Sequence, residues 1–142
     1  EKYLRYVPNT DHGLGNSDAI QSLLVFYQSI LKNAPRPKFS WSVKADGSIE
    51  VKTTTAPKQV KLWQATNPKT RDFRLEIIGP AWKSSDLTVG GDGTFVAKVP
   101  KPDKGWTAFF AELTFDSGGA LPYKFTTEIH VVPETLPFAD KL

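Results

Sequence analysis

The chain holds two histidines, no cysteine and no methionine, so the side chains able to exchange a proton near neutral pH can be weighed one at a time. His12 lies in Asn9-Thr10-Asp11-His12-Gly13-Leu14-Gly15-Asn16, a polar, glycine-punctuated stretch between a short alternating segment and a helical one. A loop joining the end of a strand to the start of a helix is where α/β enzymes keep working groups, and an imidazole there suits general-base chemistry. Such a base needs a nucleophile and an orienting carboxylate. No Gly-x-Ser-x-Gly elbow occurs; Gly15-Asn16-Ser17-Asp18-Ala19 is superficially close, but its serine reads better as a helix cap. Asp11 adjoins His12, yet neighbouring loop side chains usually point apart, which argues against it as the orienting acid. From the residues alone, His12 stays open between a catalytic base and a plain loop histidine. His130 sits within Tyr123–Val132, whose inward set reads as Tyr123, Phe125, Thr127, Ile129 and Val131. It is therefore expected on the outward face, with Lys124, Thr126 and Glu128.

Other chemistries find less support. The absence of cysteine excludes disulfides and thiolate metal sites. Asp46-Gly47 and Asp92-Gly93 lack the spaced oxygen ligands of a calcium loop and read as hairpin turns. Gly90, Gly91 and Gly93 lack the basic residue and following helix of a phosphate cradle, so neither a metal nor a cofactor is expected. A net charge of +3 invites a nucleic-acid reading, but Lys44, Lys52, Lys58, Lys61, Lys69, Lys83, Lys98 and Lys104 are scattered rather than striped. Of the four tryptophans, Trp41 and Trp106 are expected to fill a core, and Trp82 is a contact candidate or a core cover. No run approaches the roughly 20 apolar residues of a membrane helix. The chain opens at Glu1 and contains no Met, from which a removed upstream segment is expected.

The elements that must position these groups fall into two rhythms. Lys2–Val7 alternates and reads as a short strand stopped by Pro8. Ser17 is the expected N-cap of an amphipathic helix whose apolar stripe is Ile20, Leu23, Leu24, Tyr27, Ile30 and Leu31, widened by Val25 and Phe26. Asn33–Pro37 ends it and reads as a semi-rigid linker. From Phe39 onward the period is two. Strands are expected around Phe39–Val43, Ile49–Thr53, Gln59–Thr66, Phe73–Ile77, Leu87–Val89, Thr94–Val99, Trp106–Phe115 and Tyr123–Val132. Trp106–Phe115 is apolar on both sides over its first half and should be central. Short strands with turn signals every 8–12 residues predict a mainly β fold, an immunoglobulin- or fibronectin-III-like antiparallel sandwich. The expected layout is 1–33 as a strand, loop and helix, 34–37 as linker, 38–132 as the sandwich domain and 133–142 as a peripheral tail. The large apolar residues of the first segment should find cover, on the sandwich or elsewhere.

Several ordered segments resemble the PhoPQ-activated pathogenicity-related protein family. They are Lys2–His12 followed by the amphipathic helix, Val60-Lys61-Leu62-Trp63-Gln64-Ala65-Thr66-Asn67, Trp106–Thr114 and Phe125-Thr126-Thr127-Glu128. The resemblance implies that residues 1–33 are the last strand, histidine loop and helix of an α/β-hydrolase domain followed by a β-sandwich. It implies His12 as general base of a Ser-His-Asp triad whose other members lie upstream, so that this chain alone is inert. It also implies an exported, periplasmic or secreted, bacterial protein linked to virulence. The upstream part of the hydrolase domain would be a partner and a peptide or protein a candidate substrate, with no nucleic acid and no membrane span. The alternative reading is a non-catalytic β-sandwich that binds or interacts.

Overall fold

The computed structural model describes residues 2–90 and 92–138, so Glu1, Gly91 of the expected 90–93 turn and the last four residues of the tail lie outside the described residues. In chain order the elements are α1 (Ala19–Leu31), β1 (Phe39–Val43), β2 (Ile49–Thr53), β3 (Gln59–Asn67), α2 (Leu75–Ile78), β4 (Lys83–Asp86), β5 (Thr94–Ala97), β6 (Trp106–Phe115), β7 (Tyr123–Thr126) and β8 (His130–Val132). The fold is mainly β and its strand pairs are antiparallel. One sheet has the order β1-β2-β5; the other runs β4-β3-β6-β7, with β8 also on β6.

The two sheets share one core. Val60 and Leu62 of β3, and Phe109, Ala111, Leu113 and Phe115 of β6, pack with Ile49 and Val51 of β2 and Ala97 of β5. Period-two alternation delivers this face, since Trp41↔Val51 and Leu62↔Ala111 are set opposite each other in register. β6 is central as its composition requires, paired with β3 on one side and with β7 and β8 on the other. At the entrance to β6, Gly105 has φ 75° and comes so close to the end of β3 that an added Cβ would lie 2.1 Å from the Asn67 carbonyl oxygen.

The far side of β6 is buried too. Ala108 and Phe110 join Ala65 and Trp82 in a second apolar cluster, with Trp63, Phe73, Ile78, Ile129 and Val131 around it. Its covers are the segment before α1 and the stretch between β3 and β4. The Tyr6 ring lies 6.0 Å from Phe110 and the Trp82 ring 5.4 Å from it. Trp82 is thus core cover, with its indole N–H donated to the Phe73 carbonyl at 3.2 Å.

Four of the strand expectations need correction. Lys2–Val7 is not a strand; only Leu4 bridges, to Thr126 at the free edge of β7. Phe73–Ile77 is not a strand either. Asp72 accepts the Arg74 backbone N–H at 3.2 Å, and one helical turn follows before Gly79 at φ 64°. The Phe73–Leu75–Ile77 alternation lies partly on that turn, with Phe73 and Ile78 packed around Trp82. The strand expected at Leu87–Val89 forms instead at Lys83–Asp86, in register with Gln64–Lys61.

The fourth correction concerns Tyr123–Val132, which is two strands. Thr126 faces Glu112 while His130 faces Phe109, so four steps on one strand oppose three on β6. That extra residue is a β-bulge. Thr127 occupies it fully buried, accepting the Ala111 N–H through Oγ1 at 3.0 Å and donating its own N–H to the Ala111 carbonyl at 2.9 Å. One added residue exchanges the faces beyond it. Ile129 and Val131 therefore turn outward, and His130 points to the inner face, edge-on to Phe109 at 5.6 Å, with Nε2 3.5 Å from the Glu134 carboxylate.

Helix α1 lies along the core, but not by its expected stripe. Val25 and Ser29 are buried and Phe26 packs on Phe125, while Ile20, Leu23, Leu24, Tyr27, Ile30 and Leu31 are each at least half exposed. Asp18, not Ser17, is the N-cap; the Ser17 hydroxyl accepts the Ala19 N–H at 3.2 Å and donates to the Leu14 carbonyl.

Candidate functional site

The loop carrying His12 is anchored at its base and open at its tip. Arg5 crosses the outer face of the sheet, placing one guanidinium nitrogen 2.8 Å from the Glu112 carboxylate and the other 2.5 Å from Asp18. Glu112 is almost wholly buried in the middle of β6, so the pair is desolvated and its geometry fixes where the segment lies. Lys124 of β7 reaches the other oxygen of Asp18 at 2.5 Å. Burial pushes the Asp18 carboxyl up, but the Lys124 hydrogen bond and the charges of Arg5 and Lys124 outweigh it, and the group sits below its ordinary value of 3.8.

Asn9 supplies a second anchor. Its backbone is left-handed, φ 55°, a conformation asparagine tolerates better than most side chains. In that pose its amide clamps the Trp82 backbone both ways, donating to the carbonyl at 2.9 Å and accepting the N–H at 3.0 Å. Neither Arg5 nor Asn9 stands out in the sequence, because their partners are 107 and 73 residues away. The one local signal was an asparagine after a proline at the start of a polar loop.

Past Asn9 the loop holds itself. Asp11 Oδ1 accepts the Gly13 N–H at 2.9 Å in an Asx turn, so its carboxylate is used within the turn and does not orient His12. His12 is exposed, with no hydrogen bond or ion pair among the described residues. It lines an open cavity of about 530 Å³ together with Arg5, Tyr6, Thr10, Leu75 and Glu76. Ser17 is not placed as its nucleophile, being engaged at the start of α1. Opposite the histidine loop, Asp72 accepts from the Arg74 guanidinium through both carboxylate oxygens, and those hydrogen bonds hold that carboxyl below the usual range. Among the described residues, no group of three His, Asp or Glu side chains is placed to hold a metal ion, and no helix is long and apolar enough to cross a membrane.

The arrangement is a pair of antiparallel sheets that holds, on the outer face of one, an anchored loop with one exposed imidazole, followed by a helix packed beside β7 against the shared core. The chain belongs to the PhoPQ-activated pathogenicity-related protein family, whose model matches residues 1–74. The matched span takes in the histidine loop, Pro35–Pro37 and β3. The chain is also 34% identical, over an alignment of 163 residues, to autocrine proliferation repressor protein A of Dictyostelium discoideum. The alignment covers 97% of this chain and 33% of that protein, so the chain spans about a third of the relative's length. No solved structure matches.

Proposed function

We propose that this chain is the C-terminal part of an exported, virulence-related α/β-hydrolase-like protein in which His12 is the general base of a Ser-His-Asp triad. The observation that carries the reading is His12 itself. In a chain of this family it stands at an open cavity, on the loop leading into α1 and anchored at both Arg5 and Asn9, with nothing among the described residues engaging its ring. A base that must meet a serine supplied from elsewhere needs that combination of fixed backbone and free imidazole. On this reading residues 1–33 complete the hydrolase-like domain, 34–37 connect, 38–132 form an immunoglobulin- or fibronectin-III-like sandwich, and 133–142 are its tail. The strand orders β1-β2-β5 and β4-β3-β6-β7 support such a sandwich. The exposed apolar side of α1 would meet the rest of the hydrolase domain, where each large residue covered would gain about 1.5–3 kcal/mol. A relative named as autocrine supports export, because an autocrine factor acts on the cell that releases it.

A second reading is a non-catalytic module that binds a partner through that same side of α1, favoured by a relative named as a repressor. One experiment separates them. In the longer protein, His12→Ala is expected to cut ester hydrolysis by about 10²–10⁴-fold while the melting temperature stays within a degree or two. Undiminished turnover would remove His12 from the chemistry and leave the binding module standing.

A further inference from the structure

Beside the histidine cavity lies a second hollow of about 250 Å³, walled by Tyr6, Phe73, Leu75, Trp82, Phe110 and Ile129. The two hollows share Tyr6, Val7, Thr10, Arg74 and Leu75 as lining, so they are neighbouring compartments of one cleft. We propose that this second compartment is an apolar binding pocket that receives a neutral aromatic or branched aliphatic group of the molecule on which His12 acts.

Three observations support it. The first is size: an apolar cavity of about 150 Å³ suffices for benzene, and this one is larger. The second is chemistry. The Trp82 indole N–H is engaged by the Phe73 carbonyl and the Asn9 amide by the Trp82 backbone, so apart from the Tyr6 and Thr10 hydroxyls the walls offer mainly rings and aliphatic carbon. At the rim Arg74 is neutralised from both sides, by Asp72 at 2.6 Å and Glu76 at 2.9 Å, which leaves little field to select a charged group. The third is rigidity. The floor is the central strand and the walls are tied by the Asn9–Trp82 clamp, so the hollow exists before any ligand enters. The sheets thereby supply specificity to a histidine that the segment before α1 supplies. Assigning the occupant to the substrate of His12 rests on the hydrolase-like reading above; binding itself does not.

The test uses the 142-residue chain and 4-fluorobenzyl alcohol as probe, followed by ¹⁹F and ¹H–¹⁵N NMR. Saturable binding is expected, with the largest shifts at the Trp82 indole N–H and the Leu75 and Ile129 amides. Leu75→Trp, which fills the compartment from its rim, should weaken binding at least tenfold; should that variant not fold, Leu75→Glu should give the same loss by placing a charge there. His12→Ala should bind the probe within twofold of the unaltered chain, so loss of ester hydrolysis in the longer protein and loss of probe binding report on separate claims. Non-saturable shifts, shifts centred on Leu23, Tyr27 and Ile30 of α1, or unaltered affinity in the Leu75 variants would overturn the pocket.

Discussion

On one side of β6, Phe109, Leu113 and Phe115 meet the three-stranded sheet, strand against strand, in a core built from alternating positions. On the other side, Phe110 and Glu112 meet irregular chain, the residues around Tyr6 before α1 and the 73–82 stretch, held by an ion pair and an asparagine clamp. Both sides are buried to the same degree, since Phe109 is 0% and Phe110 1% exposed. Regular cover is non-directional and tolerant, because any apolar side chain of the right volume serves. Irregular cover depends on named polar contacts and leaves hollows between them, which is where a ligand can sit.

The largest effect should come from the regular side. Phe109→Ala is expected to cost about 3–5 kcal/mol, because packed strands cannot collapse into the space. Phe110→Ala should cost visibly less in the same urea titration, since the wall beside it is already hollow and loop-built. Equal losses would erase the contrast between the two covers. Next in size is Arg5→Ala. It leaves Glu112 buried without its cation and should cost about 2–3 kcal/mol, below the roughly 3–5 of a fully enclosed pair because Arg5 keeps some solvent. Arg5→Met combined with Glu112→Leu should recover most of that loss; if it does not, the pair does more than neutralise a charge.

The smallest effect sharpens the contrast through pH. Asp18 is held below 3.8 in the folded chain, so its contribution is complete above that value and is lost as pH falls through the lower folded value. Acidification from pH 4 downward should therefore loosen the segment before α1 ahead of the sheets, seen as earlier hydrogen exchange at Leu4–Tyr6 than at Phe109–Leu113. Asp18→Asn should flatten that dependence. Simultaneous loss of protection in both places would merge the two covers into one cooperative unit.

The strands of the regular side were legible because period two is written residue by residue in Phe39–Val43, Ile49–Thr53 and Trp106–Phe115. The irregular side was not. Leu75–Ile78 is too short a turn for a helical period to show, and its alternation with Phe73 imitates a strand. The bulge at Thr127 reverses the inward and outward sets after Phe125, and a single extra residue leaves no compositional mark. That His12 lies in an exposed polar loop could be read from the residues around it, but the anchors of that loop could not, since Arg5–Glu112 and Asn9–Trp82 join distant parts of the chain. Likewise the apolar positions of α1 named a helix correctly but not its inward side, which Val25 and Phe26 take.

The Pro35–Pro37 break looks in the sequence like the natural place to cut, and the Asn9 clamp shows what such a cut would remove. A fragment starting at Lys38 would carry Glu112 without Arg5 and leave Phe110 and Trp82 partly uncovered, turning the middle of a sheet into sticky surface. Two parts that look separable by rhythm are, at this face, each other's solvent shield, so insolubility of the trimmed piece would be a sign of its architecture rather than a failure of folding.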